Sequence, residues 1–188
     1  FRSGKTYTLR EEFAPYGYLQ AEEVKFTVSD TADVQKVEMK DAVPVGRIII
    51  NKKGEFLSEV SWNDMVAGAM DSIWGYVTGS LKDVTFEIYA REDIKAADGE
   101  SDDYYKKDEL VATIKTDELG IARTDDLPLG KYYVVEKETA NGFVLDGEPR
   151  DIDLTYRDQD TPVVTYDSEW QNSRQKAKVI VTKKEKDS

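Results

Sequence analysis

Leu127-Pro128-Leu129-Gly130-Lys131-Tyr132-Tyr133-Val134-Val135-Glu136, running on into Lys137-Glu138-Thr139-Ala140-Asn141-Gly142-Phe143, decides how the chain is read. A Pro/Gly turn opens the stretch, and side chains on an extended strand alternate with period two, so Tyr132, Val134 and Glu136 share one face. An acid therefore points where the apolar residues point. A carboxyl group on a core face is costly to ionise and normally stays protonated or finds a partner, which marks Glu136 as a candidate working group.

The same pattern opens the chain. In Gly4-Lys5-Thr6-Tyr7-Thr8-Leu9-Arg10-Glu11, the residues Tyr7, Leu9 and Glu11 alternate as Tyr132, Val134 and Glu136 do. Gly17-Tyr18 follows Glu11 by six and seven residues, and Gly142-Phe143 follows Glu136 at the same interval. Alternating strands come next, Val24/Phe26/Val28 in the first copy and Ile152/Leu154/Tyr156 in the second, and then Val37-x-Met39-x-Asp41 and Ser168-x-Trp170-x-Asn172. Asp41 is followed eleven residues later by Lys52, at the end of Gly46-Arg47-Ile48-Ile49-Ile50-Asn51-Lys52. Asn172 is followed eleven later by Lys183, at the end of Ala177-Lys178-Val179-Ile180-Val181-Thr182-Lys183. Repeats of this kind imply an array of β modules. Residues 1–43 then form the C-terminal part of a preceding module, 44–176 a complete one, and 177–188 the first strand of a third. A start at Phe1 rather than Met reads as a piece of a longer polypeptide.

Two further strands are expected at 84–89 and 110–114, with a turn at Thr116-Asp117-Glu118-Leu119-Gly120. Two inserts interrupt them. Apolar residues at Trp62, Met65, Val66, Ala69, Met70, Ile73 and Trp74 have helical spacing, with Ser61 as N-cap, so 61–76 predicts one short helix. The charged stretch 93–109 predicts an exposed loop. Short strands between turn signals give an all-β sandwich.

Composition narrows the chemistry. There are 38 acidic and 26 basic residues, a formal net charge of -12, which argues against nucleic acid or an anionic membrane surface as partner. No apolar run is long enough for membrane insertion, and no charged-then-apolar leader stands at the start. Cysteine and histidine are both absent, which removes disulfides, thiol nucleophiles, the usual zinc ligands and the imidazole base. No metal or cofactor is implied. Any chemistry must use carboxylates, lysines, amides or hydroxyls.

With the alternating faces assembled in one sandwich, the core receives Lys52, Glu136 and Asn172. Burial lowers a lysine's affinity for its proton and raises a carboxyl's, pushing the pair toward neutral amine beside neutral acid. A neutral amine facing the Asn172 side-chain carbonyl is a nucleophile, and a protonated Glu136 can polarise that carbonyl and relay protons while ammonia leaves.

The combination Gly46-x-Ile48-x-Ile50-x-Lys52, Tyr132-x-Val134-x-Glu136 with Gly142-Phe143, and Asn172 ahead of a new strand resembles the SpaA/CnaB family, the B-type, prealbumin-like domains of Gram-positive surface adhesins and pilins. The resemblance implies an inverse immunoglobulin-like sandwich with an autocatalytic intramolecular isopeptide bond, Lys52 supplying the amine, Asn172 the acceptor amide and Glu136 the catalytic acid. Glu11 and Asp41 match the acid and acceptor of the preceding module, and Lys183 the amine of the following one. The implied setting is the bacterial cell wall surface, with neighbouring repeats of the same polypeptide as partners and a single-turnover crosslink in place of enzyme turnover. Lys53 is a competing amine, which a β-bulge would favour over Lys52.

Two other functions stay open. Trp62, Trp74 and Tyr76 read either as a ligand surface for a host extracellular-matrix protein or glycan, or as cover for an edge of the sandwich. A carboxylate hydrolase would need two acids converging in a cleft, and no spacing singles out such a pair. The run Asp98-Gly99-Glu100-Ser101-Asp102-Asp103 lacks a full calcium-loop pattern and reads as a solvated loop.

Overall fold

The computed structural model describes residues 1–62 and 72–177. Eleven strands follow in chain order: β1 Thr6–Leu9, β2 Val24–Thr27, β3 Val45–Trp62, β4 Ser72–Ser80, β5 Thr85–Ala90, β6 Leu110–Lys115, β7 Ile121–Arg123, β8 Leu127–Pro128, β9 Gly130–Glu138, β10 Arg150–Leu154 and β11 Val163–Asn172. No helix occurs among the described residues.

The fold is a β-sandwich. One sheet has the order β10-β9-β5-β6; the facing sheet has β11-β3-β4, with β7 and β8 also pairing with β3. Alternation along the central strands builds the layer between them: Ile48 and Ile50 from β3, Phe86 and Ile88 from β5, Tyr132 and Val134 from β9, Ile152 and Leu154 from β10 and Trp170 from β11 are all buried. β3 and β11 are parallel neighbours, in register from Val45↔Val163 to Gly54↔Asn172. Gly54 has no side chain because Phe143 occupies that space, a Cβ there lying 2.5 Å from the ring.

Residues 1–43 carry a two-stranded sheet of β1 and β2. Its register pairs Tyr7 with Phe26, whereas between β9 and β10 Tyr132 pairs with Ile152, the counterpart of Val24, so the antiparallel pairing recurs with its register displaced by two residues. This segment rests on the larger sandwich through Tyr156 Oη donating to the Tyr18 carbonyl (3.0 Å), Ala14 N donating to Gln159 Oε1 (3.0 Å) and an edge-on contact between the Tyr16 and Tyr156 rings.

Three expectations are corrected. The helical spacing over 61–76 does not make a helix at either end: Ser61 and Trp62 close β3, and 72–76 open β4, paired antiparallel with Val60 facing Trp74. At those ends the residues gain more from pairing along the ladder than from helix propensity; 63–71 lie outside the described residues. The strand expected at 37–41 is not formed. Its counterpart, β11, is held by parallel pairing with β3, and 37–41 have no equivalent neighbour among the described residues. The loop 93–109 is anchored rather than wholly exposed, because Ile94 is buried against Gly130 and bridges to Tyr105.

Candidate functional site

Lys52, Glu136 and Asn172 meet in the interior. Their relative exposures are 0%, 1% and 1%, in a surround that is mainly apolar and aromatic. Each arrives by alternation: Lys52 two residues beyond Ile50, Glu136 two beyond Val134, Asn172 two beyond Trp170. β3 continues without interruption through this point, its bulge coming later between Leu57 and Glu59, so Lys52 rather than Lys53 faces inward.

The contacts form a closed set. Lys52 Nζ donates to Glu136 Oε2 at 2.6 Å and to Asn172 Oδ1 at 2.7 Å, and Asn172 Nδ2 donates to Glu136 Oε1 and, at 2.8 Å, to Thr139 Oγ1. Nζ therefore lies beside the amide carbonyl, and the acid bridges amine and amide nitrogen. Burial pushes the Lys52 ammonium below the usual lysine range, with the Glu136 carboxylate opposing that shift.

Strand register supplies the walls. Phe86 lies opposite Glu136 on β5, and Trp170 opposite Lys52 on β11, so both rings share the triad's face. Their centroids lie 5.6 and 5.9 Å from Nζ, and the rings meet edge to face at 5.4 Å. Arg150 covers Trp170, its guanidinium carbon 4.2 Å from the ring centroid. The backbone of Lys52 is held as firmly as its side chain: its N–H donates to the Gly120 carbonyl (2.7 Å), and its carbonyl accepts from Leu81 N (2.9 Å).

Sequence reasoning misses Thr139, Phe86, Trp170 and Arg150. Trp170 was legible as the residue on the Asn172 face two positions earlier; Thr139 was not, because it follows the inward alternation of β9. Of the residues assigned to flanking modules, Glu11 lies beyond the end of β1 and its Oε2 accepts from Ala21 N at 2.8 Å, Asp41 lies outside any strand, and Lys183 is outside the described residues. Trp74 is 49% exposed on β4, and Tyr76 is half-buried with Lys176 Nζ 4.3 Å from its ring centroid. The side chain of Trp62 lies outside the described ones. Among the described residues no cluster of acids is arranged to hold a metal ion. In the acidic loop, Asp98 Oδ1 accepts from the backbone N–H of Glu100 and Ser101, closing a local turn.

Two packed sheets around a buried lysine, acid and amide define a prealbumin-like β domain. The model of the SpaA prealbumin-like fold domain matches residues 76–170, just over half of the chain, and the chain belongs to that family. Among solved structures, the Bacillus anthracis TIE protein aligns over 90% of this chain and 25% of its own, at 22% identity and a TM-score of 0.53, a likeness of fold. The full-length major pilin SpaD from Corynebacterium diphtheriae aligns over 69% and 30%, at 20% identity and TM-score 0.41. GBS52, the minor pilin of the Gram-positive pathogen Streptococcus agalactiae, aligns over 96% and 64%, at 15% identity and TM-score 0.44. The chain thus spans about a quarter of the TIE protein and under a third of SpaD. A comparison with curated proteins gives no match.

Proposed function

We propose that this chain is a structural stalk or adhesin module of a bacterial cell-wall-anchored surface protein, stiffened by an isopeptide bond between Lys52 and Asn172 that forms under Glu136 catalysis. The observation that carries the reading is the buried Nζ 2.7 Å from Asn172 Oδ1, with Glu136 touching both reacting residues. The proposed reaction begins with a proton passing from the Lys52 ammonium, whose hold on it burial weakens, to the Glu136 oxygen 2.6 Å away. The neutral amine attacks Asn172 Cγ. The Nζ–Cγ bond forms and the Cγ–Nδ2 bond breaks. Glu136 gives its proton to Nδ2 and takes the surplus proton from Nζ, and one ammonia departs. The fold supplies the proximity, so no cofactor or second enzyme enters, and the event is a single turnover.

Mechanical consequences follow from the parallel pairing of β3 and β11. Tension applied before Val45 and after Asn172 would run along β3 to Lys52, cross the amide and leave, and residues 53–171 would bear no load. A cysteine-free chain gains a staple that reductants do not open. The antiparallel pairing shared by β1–β2 and β9–β10 supports 1–43 as the tail of a preceding module, with 44–176 complete and 177–188 beginning the next; Glu11, Asp41 and Lys183 take the corresponding roles. Neighbouring repeats are then the partners. The exposure of Leu57, Val60, Trp74 and Val77 on the β3–β4 ribbon favours a second reading, in which a host matrix protein or glycan binds there.

Intact mass of the purified chain tests the first reading: it should fall below the sequence-calculated value by one ammonia, with a Lys52–Asn172 branched peptide after digestion. A full mass would overturn it. The reaction should also depend on pH. Because burial lowers the proton affinity of Lys52, the neutral amine is populated below the pH of about 10.4 at which an exposed lysine loses its proton. Chain recovered unfolded in guanidinium and refolded across a pH series should lose ammonia fastest where Lys52 and Glu136 hold one proton between them, and more slowly as pH rises past that lowered value and the shared proton is lost to solvent.

A further inference from the structure

Thr139 is the contact of the triad that neither the family resemblance nor the strand alternation anticipates. Its hydroxyl accepts from Asn172 Nδ2 at 2.8 Å, and it is half-buried, between the sealed amide and solvent. The internal repeat supplies a second, independent observation. Thr139 stands three residues after Glu136; three residues after Glu11 stands Ala14. The acceptor differs in step: Asn172 in the complete module, Asp41 in the preceding one. An asparagine amide has N–H groups to place, whereas a carboxylate has none. The hydroxyl is present in the copy whose acceptor can donate to it and missing from the copy whose acceptor cannot.

Resting on the crosslink reading above, we infer that Thr139 is a positioning residue matched to an asparagine acceptor: its hydroxyl holds Asn172 Nδ2 so that the carbonyl faces Lys52, and receives the ammonia as it leaves. Lys52 and Glu136 both change protonation during the reaction, so the hydrogen bonds that orient the amide weaken or reverse as protons move. Thr139 does not titrate and keeps its proton throughout. Its contact with Nδ2 persists until the Cγ–Nδ2 bond breaks, and ammonia then has a hydroxyl partner at the solvent-facing side of the site.

The test compares rates of mass loss after refolding from guanidinium. Thr139→Val, close in shape but without the hydroxyl, should slow ammonia loss about tenfold, the worth of one hydrogen bond; Thr139→Ser should restore most of the rate. In an Asn172→Asp background, where water leaves instead, Thr139→Val should change the rate less than about twofold. That dependence on the acceptor is a readout that a merely structural threonine would not give. Equal slowing with both acceptors, or no slowing with Asn172, overturns the assignment while leaving the crosslink standing. A chain that never loses ammonia overturns the crosslink, and this assignment with it.

Discussion

Glu136→Gln is expected to leave the intact chain at the full mass calculated from its sequence and to lower its thermal midpoint by roughly 15–30 °C. Glutamine is close to glutamate in volume and keeps an oxygen that can accept from Lys52 Nζ, so the packing against Phe86 and Val134 is preserved. What it lacks is a group that takes up a proton and returns it. Lys52, beside a neutral amide in a dry site, sheds its proton to water on folding, but the amide nitrogen of Asn172 then has no donor to make it a leaving group.

The size of the effect separates two explanations. A bond between residues 120 positions apart removes about 5 kcal/mol of disorder from the unfolded chain, by the loop-closure argument used for disulfides. If no bond formed in the unmutated protein, the substitution would exchange a charge-assisted hydrogen bond for a neutral one, a change of about 1–2 kcal/mol and only a few degrees. Calorimetry and intact mass on the same two samples decide the matter: a small shift with equal ammonia content sinks the covalent reading.

Most of the sandwich and the three central residues of the site are legible in the sequence, for one physical reason. A strand buried on one face must alternate, and a polar residue that keeps step with Ile48 and Ile50, or with Tyr132 and Val134, is carried into the core with them. Lys52, Glu136 and Asn172 are each found by that rule. Thr139 is not, since it follows the inward run of β9; Arg150 keeps step with Ile152 and Leu154 on β10, but at the strand's first position, and nothing in its alternation says that it covers Trp170. The helical reading of 61–76 fails at both described ends because periodicity describes which residues want a common face, not which backbone will supply it. β3 runs on through Trp62 and β4 is paired to it from Ser72, so the ladder claims both ends of the segment. Residues 37–41 show the converse. Their alternation is as good as that of β11, yet among the described residues no lysine-bearing strand pairs with them, and they remain outside any strand.

Gly120→Ala is expected to cost about 3–5 kcal/mol and to slow ammonia loss on refolding by about a hundredfold, although residue 120 touches none of the three reacting side chains. Gly120 has φ +76°, where a Cβ costs roughly 1–2 kcal/mol by itself. That Cβ would also sit 2.5 Å from the carbonyl oxygen of Lys52 and 3.0 Å from Leu81 N. Both neighbours are backbone and cannot rotate away. Relief must come from moving the turn off β3, which breaks the hydrogen bond from Lys52 N to the Gly120 carbonyl and disturbs the one from Leu81 N to the Lys52 carbonyl. The backbone that aims Nζ at Asn172 then shifts by a fraction of an ångström to an ångström, enough to spoil an approach that depends on fixed geometry. Gly99→Ala is the control. Gly99 has φ +66° and open space around its Cβ position, so it bears the left-handed cost without the clash. It should lose about 1 kcal/mol and react at the unmutated rate. Should the two variants lose stability and rate alike, the Gly120 turn is not what fixes the Lys52 backbone, and the amine owes its aim to its side-chain partners alone.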